Sequence, residues 1–123
     1  MSAVRDGAAM IAGMAPERRP GAWTFAACEG TPPAGAIATF CEVEGWSCIR
    51  PAAEGEEAFA LISLRVHSAL DGVGLTAAVS GALAREGIAC NVVAALRHDH
   101  LFVPEADDAR ALAVLERLSE GSR

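Results

Sequence analysis

Hydrophobic spacing between Phe59 and Pro104 switches period three times, and each switch marks an element. Ala60, Ile62, Leu64 and Val66 alternate with Ser63, Arg65 and His67, the two-residue period of a strand with one buried face. Leu75, Val79 and Leu83 then fall at i, i+4 and i+8 with Ala78 and Ala82 beside them, which predicts a helix over 75–86. Gly87 follows and suits a left-handed C-terminal cap. Over 88–96 both alternating sets are largely apolar, so this strand is expected at the centre of a covered sheet. A polar turn at Arg97, His98 and Asp99 leads into a strand from His100 to Val103. Pro104 then opens a last helix, with Glu105, Asp107 and Asp108 in its first turns and Leu112, Leu115 and Leu118 as its buried stripe. Residues 119–123 carry too little apolar surface to be ordered.

The first half is less regular. Asp6 caps a predicted short helix whose Met10, Ile11 and Met14 face inward. Two prolines and a glycine at 15–21 break it. Residues 23–28 predict a strand. Pro32 and Pro33 open a predicted second helix with Ile37, Phe40 and Cys41 as its stripe and Gly45 as its end. Residues 46–50 predict another strand, and the acidic connector 51–57 is either a simple solvated loop or the internal boundary. The pattern is therefore α+β, and strand–helix–strand–strand–helix is most of a ferredoxin-like βαββαβ unit. Residues 1–52 are expected to form a half unit and 57–119 a nearly complete one. The two incomplete units would then pack as a tandem pair.

Composition narrows the function. Apolar residues make up 52% of the 123, enough for a core, while the net charge of −6 and the absence of Tyr disfavour phosphate contacts and base stacking. No nucleic-acid partner is expected. No stretch has the length of a membrane span and the start lacks a signal-peptide layout, so no membrane partner and a cytoplasmic location are expected. Cys28, Cys41, Cys48 and Cys90 show no C-x-x-C spacing and read as small buried hydrophobes. His98 and His100 share a strand face, but only His67 remains as a further imidazole, so neither a metal nor another cofactor is expected. No nucleophile–base motif, P-loop or dinucleotide fingerprint is present, and the chain is not expected to be an enzyme.

The turn at 68–74 is the candidate site. Gly72 and Gly74 allow a ligand to approach the backbone, and the helix behind them presents free N–H groups and its positive dipole end. Asp71 either accepts from a ligand amino group or caps the helix, and Ser68 with Asp71 also fits a capping box with no ligand at all. Asn91, an amide inside a strand, needs a partner, either a ligand or neighbouring backbone.

The run Asp71-Gly72-Val73-Gly74-Leu75, a helix, then Gly87-Ile88-Ala89-Cys90-Asn91-Val92 resembles the ACT domain, a small regulatory module of amino-acid metabolism. That family's signature is D-x-P-G-L followed by a G-I-x-I strand. His67-Ser68 before this run and the segment from His98 to Pro104 after it are similar to a bacterial group of stand-alone tandem ACT proteins of undetermined function. So are the Ala-Gly-Met of 12–14, the Pro-Gly of 20–21, the strand of 22–28 and the Pro-Pro segment of 32–44. Val73 stands where the family usually has Pro, which loosens the turn. The resemblance implies paired domains that bind an amino acid at their interface through Asp71, Gly72, Val73, Gly74 and Leu75 of the turn and Asn91 and Val92 of the strand. A non-catalytic regulatory or sensor module, dimeric or larger, is the expected function. The alternative is a ligand-free interaction module whose sheet edges mediate self-association or contact with a metabolic enzyme.

Overall fold

The alternation at 59–64 becomes the strand that joins every part of the sheet. The computed structural model describes residues 2–123. Its strands are β1 (Pro16–Arg18), β2 (Trp23–Ala27), β3 (Ala38–Glu42), β4 (Gly45–Pro51), β5 (Phe59–Leu64), β6 (Asn91–Ala94) and β7 (Asp99–Pro104). Its helices are α1 (Gly7–Ala12), α2 (Leu75–Arg85) and α3 (Asp108–Gly121), the last entered through a 3₁₀ turn at Glu105–Asp107. The expected run of strand, helix, strand, strand and helix is present from β5 onward. The strands form one sheet in the order β3-β4-β2-β5-β7-β6, with β1 also paired to β5 and every named pairing antiparallel. Residues before and after the connector thus share one continuous sheet.

β5 holds this sheet together because its far side has two neighbours in succession. Pro16, Glu17 and Arg18 pair with Leu64, Ser63 and Ile62, and Trp23 pairs with Phe59. Between those contacts the first strands have two residues more than β5, a bulge that carries Pro20 and Gly21 at φ +96°. The bulge turns the chain away from β5, so β2 runs along β4 instead. The break expected at 15–21 is therefore partly a strand. Pro16 is tolerated because it stands at the first position of β1.

The predicted helix at 32–44 is the clearest correction. Ala38–Glu42 is a strand, hairpinned to β4 through Val43 and Glu44. Ile37, Phe40 and Cys41 have helical spacing, yet Pro32, Pro33 and Gly35 leave too few residues for a helix to gain what its nucleation costs. Gly45, at φ +134°, lies in the hairpin rather than at a helix end. The strand expected over 88–96 shortens to Asn91–Ala94 and lies at the sheet edge, not its centre. Both its faces are apolar because Val92 packs under the helices while Val93 packs on the opposite side. The tail is corrected too: α3 continues to Gly121, and buried Ser119 donates to the Ala12 carbonyl at 2.9 Å. Of the cysteines only Cys48 is buried, and Cys41 is exposed.

All three helices cover one face of the sheet. Ala60, Ile62 and Leu64 of β5 and Leu101 and Val103 of β7 meet Met10, Leu75, Val79, Leu83 and Leu115 there in a fully apolar core. The other face carries no helix among the described residues and is concave, and Phe25 packs edge-on against Phe59 and Phe102 there with ring centroids 5.3 Å apart. A smaller cluster of Ile49, Leu61 and Phe102 lies on it, with Ala38, Val93, Trp23 and Phe59 at its margin. Residues of β3 and β6, the two ends of the strand order, line the same hollow, so the sheet is curled.

Candidate functional site

The turn between β5 and α2 is built against the N-terminal segment. Val4 bridges Ser68: its N–H donates to the His67 carbonyl at 2.7 Å, and its own carbonyl accepts from Ala69 at 2.8 Å. Met10 and the Arg5 carbonyl lie over Gly72, and Gly7 lies against the Val73 carbonyl so closely that a Cβ would collide with it. Glycine is needed at Gly74 for another reason, its φ of +114°. Gly74 is the residue from which α2 springs, and no side chain among the described residues caps that helix. The capping box expected from Ser68 and Asp71 is not formed. Asp71 pairs instead with Arg5 at 2.8 Å, both side chains exposed, and the guanidinium holds its carboxyl below the ordinary range.

The first turn of α2 opens on a hollow of about 120 Å³ whose lining includes Ser68, Gly72, Gly74, Thr76, Ala94 and Asp99. Asp99 is buried at the head of β7. Burial pushes its carboxyl above the usual value, against the lowering effects of His100, the Ser68 hydrogen bond and His98. Of the residues singled out in the sequence, Ser68, Gly72, Gly74 and Leu75 line this hollow. Leu75 is otherwise a core residue, and Val73 points to solvent. Asn91 is exposed at the start of β6 and Val92 packs on the helix-side core; the β6 residue at the hollow is Ala94. Thr76, Ala94 and Asp99 were not evident as site residues. The polar turn expected at Arg97, His98 and Asp99 is shorter than predicted, because Asp99 belongs to β7 and is buried there.

A larger hollow, about 630 Å³, occupies the open face. Its floor is Ile49, Leu61 and Phe102. The register aligns Glu17, Ser63 and His100 in one row across β1, β5 and β7. Glu17 takes Arg19 at 3.2 Å on one carboxylate oxygen and Arg65 at 3.0 Å on the other. Ser63 Oγ and His100 Nδ1 share a hydrogen bond of 2.8 Å. Burial, helped by His98 and Arg19 and opposed by Asp99, lowers the His100 pKa and so favours the neutral ring.

Ser63 is paired on both sides within the sheet, so its backbone N–H serves the ladder and cannot form an oxyanion hole. Burial pushes the Cys90 thiol up, away from a reactive thiolate. His98 donates from Nδ1 to the Val66 carbonyl at 3.1 Å, and among the described residues no three His, Cys, Asp or Glu side chains converge as metal ligands. No helix among them is long and apolar enough to cross a membrane.

Comparisons with known proteins agree with this architecture. No curated protein matches the chain significantly. Among solved structures, the Vibrio cholerae protein VC0802, described as of unknown function and a possible transport protein, is similar at 34% identity and a TM-score of 0.77. That match covers 91% of this chain and 94% of the other. The Agrobacterium tumefaciens protein Atu0741 shares the fold at 18% identity and a TM-score of 0.68, over 85% of this chain and 87% of its own. Residues 56–117 match the ACT domain. With half its length matched to that domain, the chain belongs to the ACT-domain family.

Proposed function

We propose that this protein is a non-catalytic regulatory or sensor module that binds a small amino acid at the turn between β5 and α2. Gly72, Gly74 and Leu75 form the turn side of that site and Ala94 its strand side, while Asp71, Val73, Asn91 and Val92, which the family resemblance also implies, lie off the hollow. Membership in the ACT-domain family supports a small-ligand regulatory role. The observation that carries the reading is the uncapped start of α2 facing a hollow that holds Ser68 and Asp99. Free N–H groups at a helix start suit a carboxylate, and a buried acid suits an ammonium group. Size restricts the ligand. At about 30 Å³ per water, the hollow has room for about four water-sized groups. Glycine, alanine and serine come nearest to that limit.

Thermal-shift and calorimetric titration with these three amino acids test the site. A binder at a hundredfold excess over Kd adds about 2.7 kcal/mol of stability. Thr76→Glu is the diagnostic variant, because an acid in the first turn favours the helix dipole but repels a ligand carboxylate. Retained folding with lost binding supports the site, and undiminished binding by Thr76→Glu removes it.

A second reading is favoured by the two sheet ends. β3 and β6 are free edges, and Phe40, Ile37 and Val43 are exposed on or beside β3. In this reading residues 1–52 are a half unit that completes the ACT domain of 57–119, and the free edges join copies into a dimer or larger assembly. A monomer in light scattering at micromolar concentration would exclude it.

A further inference from the structure

We propose that the open face of the sheet is a second binding site, specific for an organic anion with an apolar tail. The hollow of about 630 Å³ lies within the roughly 300–1,000 Å³ typical of small-molecule sites. It is about five times the volume of the hollow at the turn. Its chemistry is divided along its length. Ile49, Leu61 and Phe102 provide an apolar floor, with Ala38 of β3 and Val93 of β6 as opposite walls. At the other end Arg19 and Arg65 share the single carboxylate of Glu17. Two guanidiniums against one carboxylate leave a net positive charge, on a protein whose overall charge is −6. Each guanidinium carries five N–H donors in a planar fork, so both retain donors that can take a second carboxylate. The Ser63–His100 pair lies between the charged end and the floor and supplies a neutral polar contact there. A carboxylate against the arginines, with its hydrocarbon tail laid along exposed Ile37 and between Ala38 and Val93 above the buried floor, satisfies both halves. A neutral lipid leaves the arginines unused, and a cation is repelled.

Octanoate is the probe, with octanol and octylammonium as neutral and cationic controls of the same tail length. Titration calorimetry on the full chain is expected to show one octanoate per protein. Octanol should bind at least tenfold more weakly, and octylammonium should give no binding heat. Arg65→Gln, at an exposed side chain, keeps the fold by circular dichroism and reduces octanoate affinity toward that of octanol. Val93→Glu puts a carboxylate in the wall and abolishes octanoate binding. Excess serine leaves the octanoate isotherm unchanged, which separates this site from the turn whether or not the turn binds serine. Absence of octanoate binding by the parent, equal affinity for octanol, or indifference to Arg65→Gln overturns the proposal. So does a dimer that excludes octanoate, which would give the face to a second copy of the chain.

Discussion

The two faces of the sheet are made by the same strands and differ in almost every other respect. On the helix side β5 contributes Ala60, Ile62 and Leu64, all buried, to a core dominated by aliphatic side chains, with buried Ser119 satisfied by the Ala12 carbonyl. On the open side the same strand contributes Leu61 and Ser63, and Arg65 follows just past its end, so hydrophobicity gives way to polarity and then charge within five residues. The covered face can be uniform because its only task is to exclude water. The open face keeps a smaller apolar floor and places its charges in one corner. Stability should therefore depend on the first face and selectivity on the second.

Leu83, fully buried in α2, makes the largest test. Leu83→Ala is expected to cost about 2–5 kcal/mol in urea unfolding. Phe40→Ser, at a side chain 67% exposed on β3, should stay within about 0.5 kcal/mol of the parent. Similar losses from both would erase the distinction between the faces. Gly7→Ala sharpens it. Helix propensity alone favours Ala by about 1 kcal/mol. Here the added Cβ meets the Val73 carbonyl, a backbone atom, so α1 must shift off the turn. A net loss of about 1–3 kcal/mol in thermal unfolding is expected. A stabilised variant would mean that α1 is not held at the turn by backbone contact.

The smallest effect lies between the two regions, in the connector before β5. Arg50 grips both carboxylate oxygens of Glu56 at 2.8 Å, and the Ala53 N–H donates to one of them at 2.7 Å. The Arg50 hydrogen bonds lead the Ala53 contact in lowering the Glu56 pKa from 4.5 to about 2. A depressed carboxyl contributes stability that is complete above its unfolded pKa and fades as pH falls through the folded one. The parent should therefore lose this contribution between pH 4.5 and about 2. Glu56→Gln should start slightly less stable at neutral pH and show a flatter acid limb in a series of melts.

Much of the covered face was legible in the sequence because each helix or strand there repeats one period. Leu75, Val79 and Leu83 could hardly be anything but a helix stripe, and Gly87 adopts its left-handed conformation at φ +71°. The open face was not, because pairing partners distant in sequence decide it. Ile37, Phe40 and Cys41 satisfy a helix period as well as they satisfy β3, and only β4 selects the strand. Pro16 and Glu17 look like a break until β5 lies beside them. Glu17, Ser63 and His100 belong to three separate segments, and nothing but register puts them in one row. The glycines of the turn were visible, but the segment holding Arg5, Gly7 and Met10 that lies over them was not.

The bulge between β1 and β2 has a consequence for the order in which the chain can fold. β1 is made some forty residues before β5, the strand that gives it its place. On a ribosome the first fifty residues therefore emerge with Phe25, Phe40 and Trp46 exposed and with no partner for β1. The helix-covered core cannot close either until α3 is complete, since Leu115 belongs to it. The β3–β4 hairpin can form locally at this stage, and β2 can then pair with β4, since all three strands precede β5. All other sheet pairings, apart from the β6–β7 hairpin, require long loops to close, which slows folding.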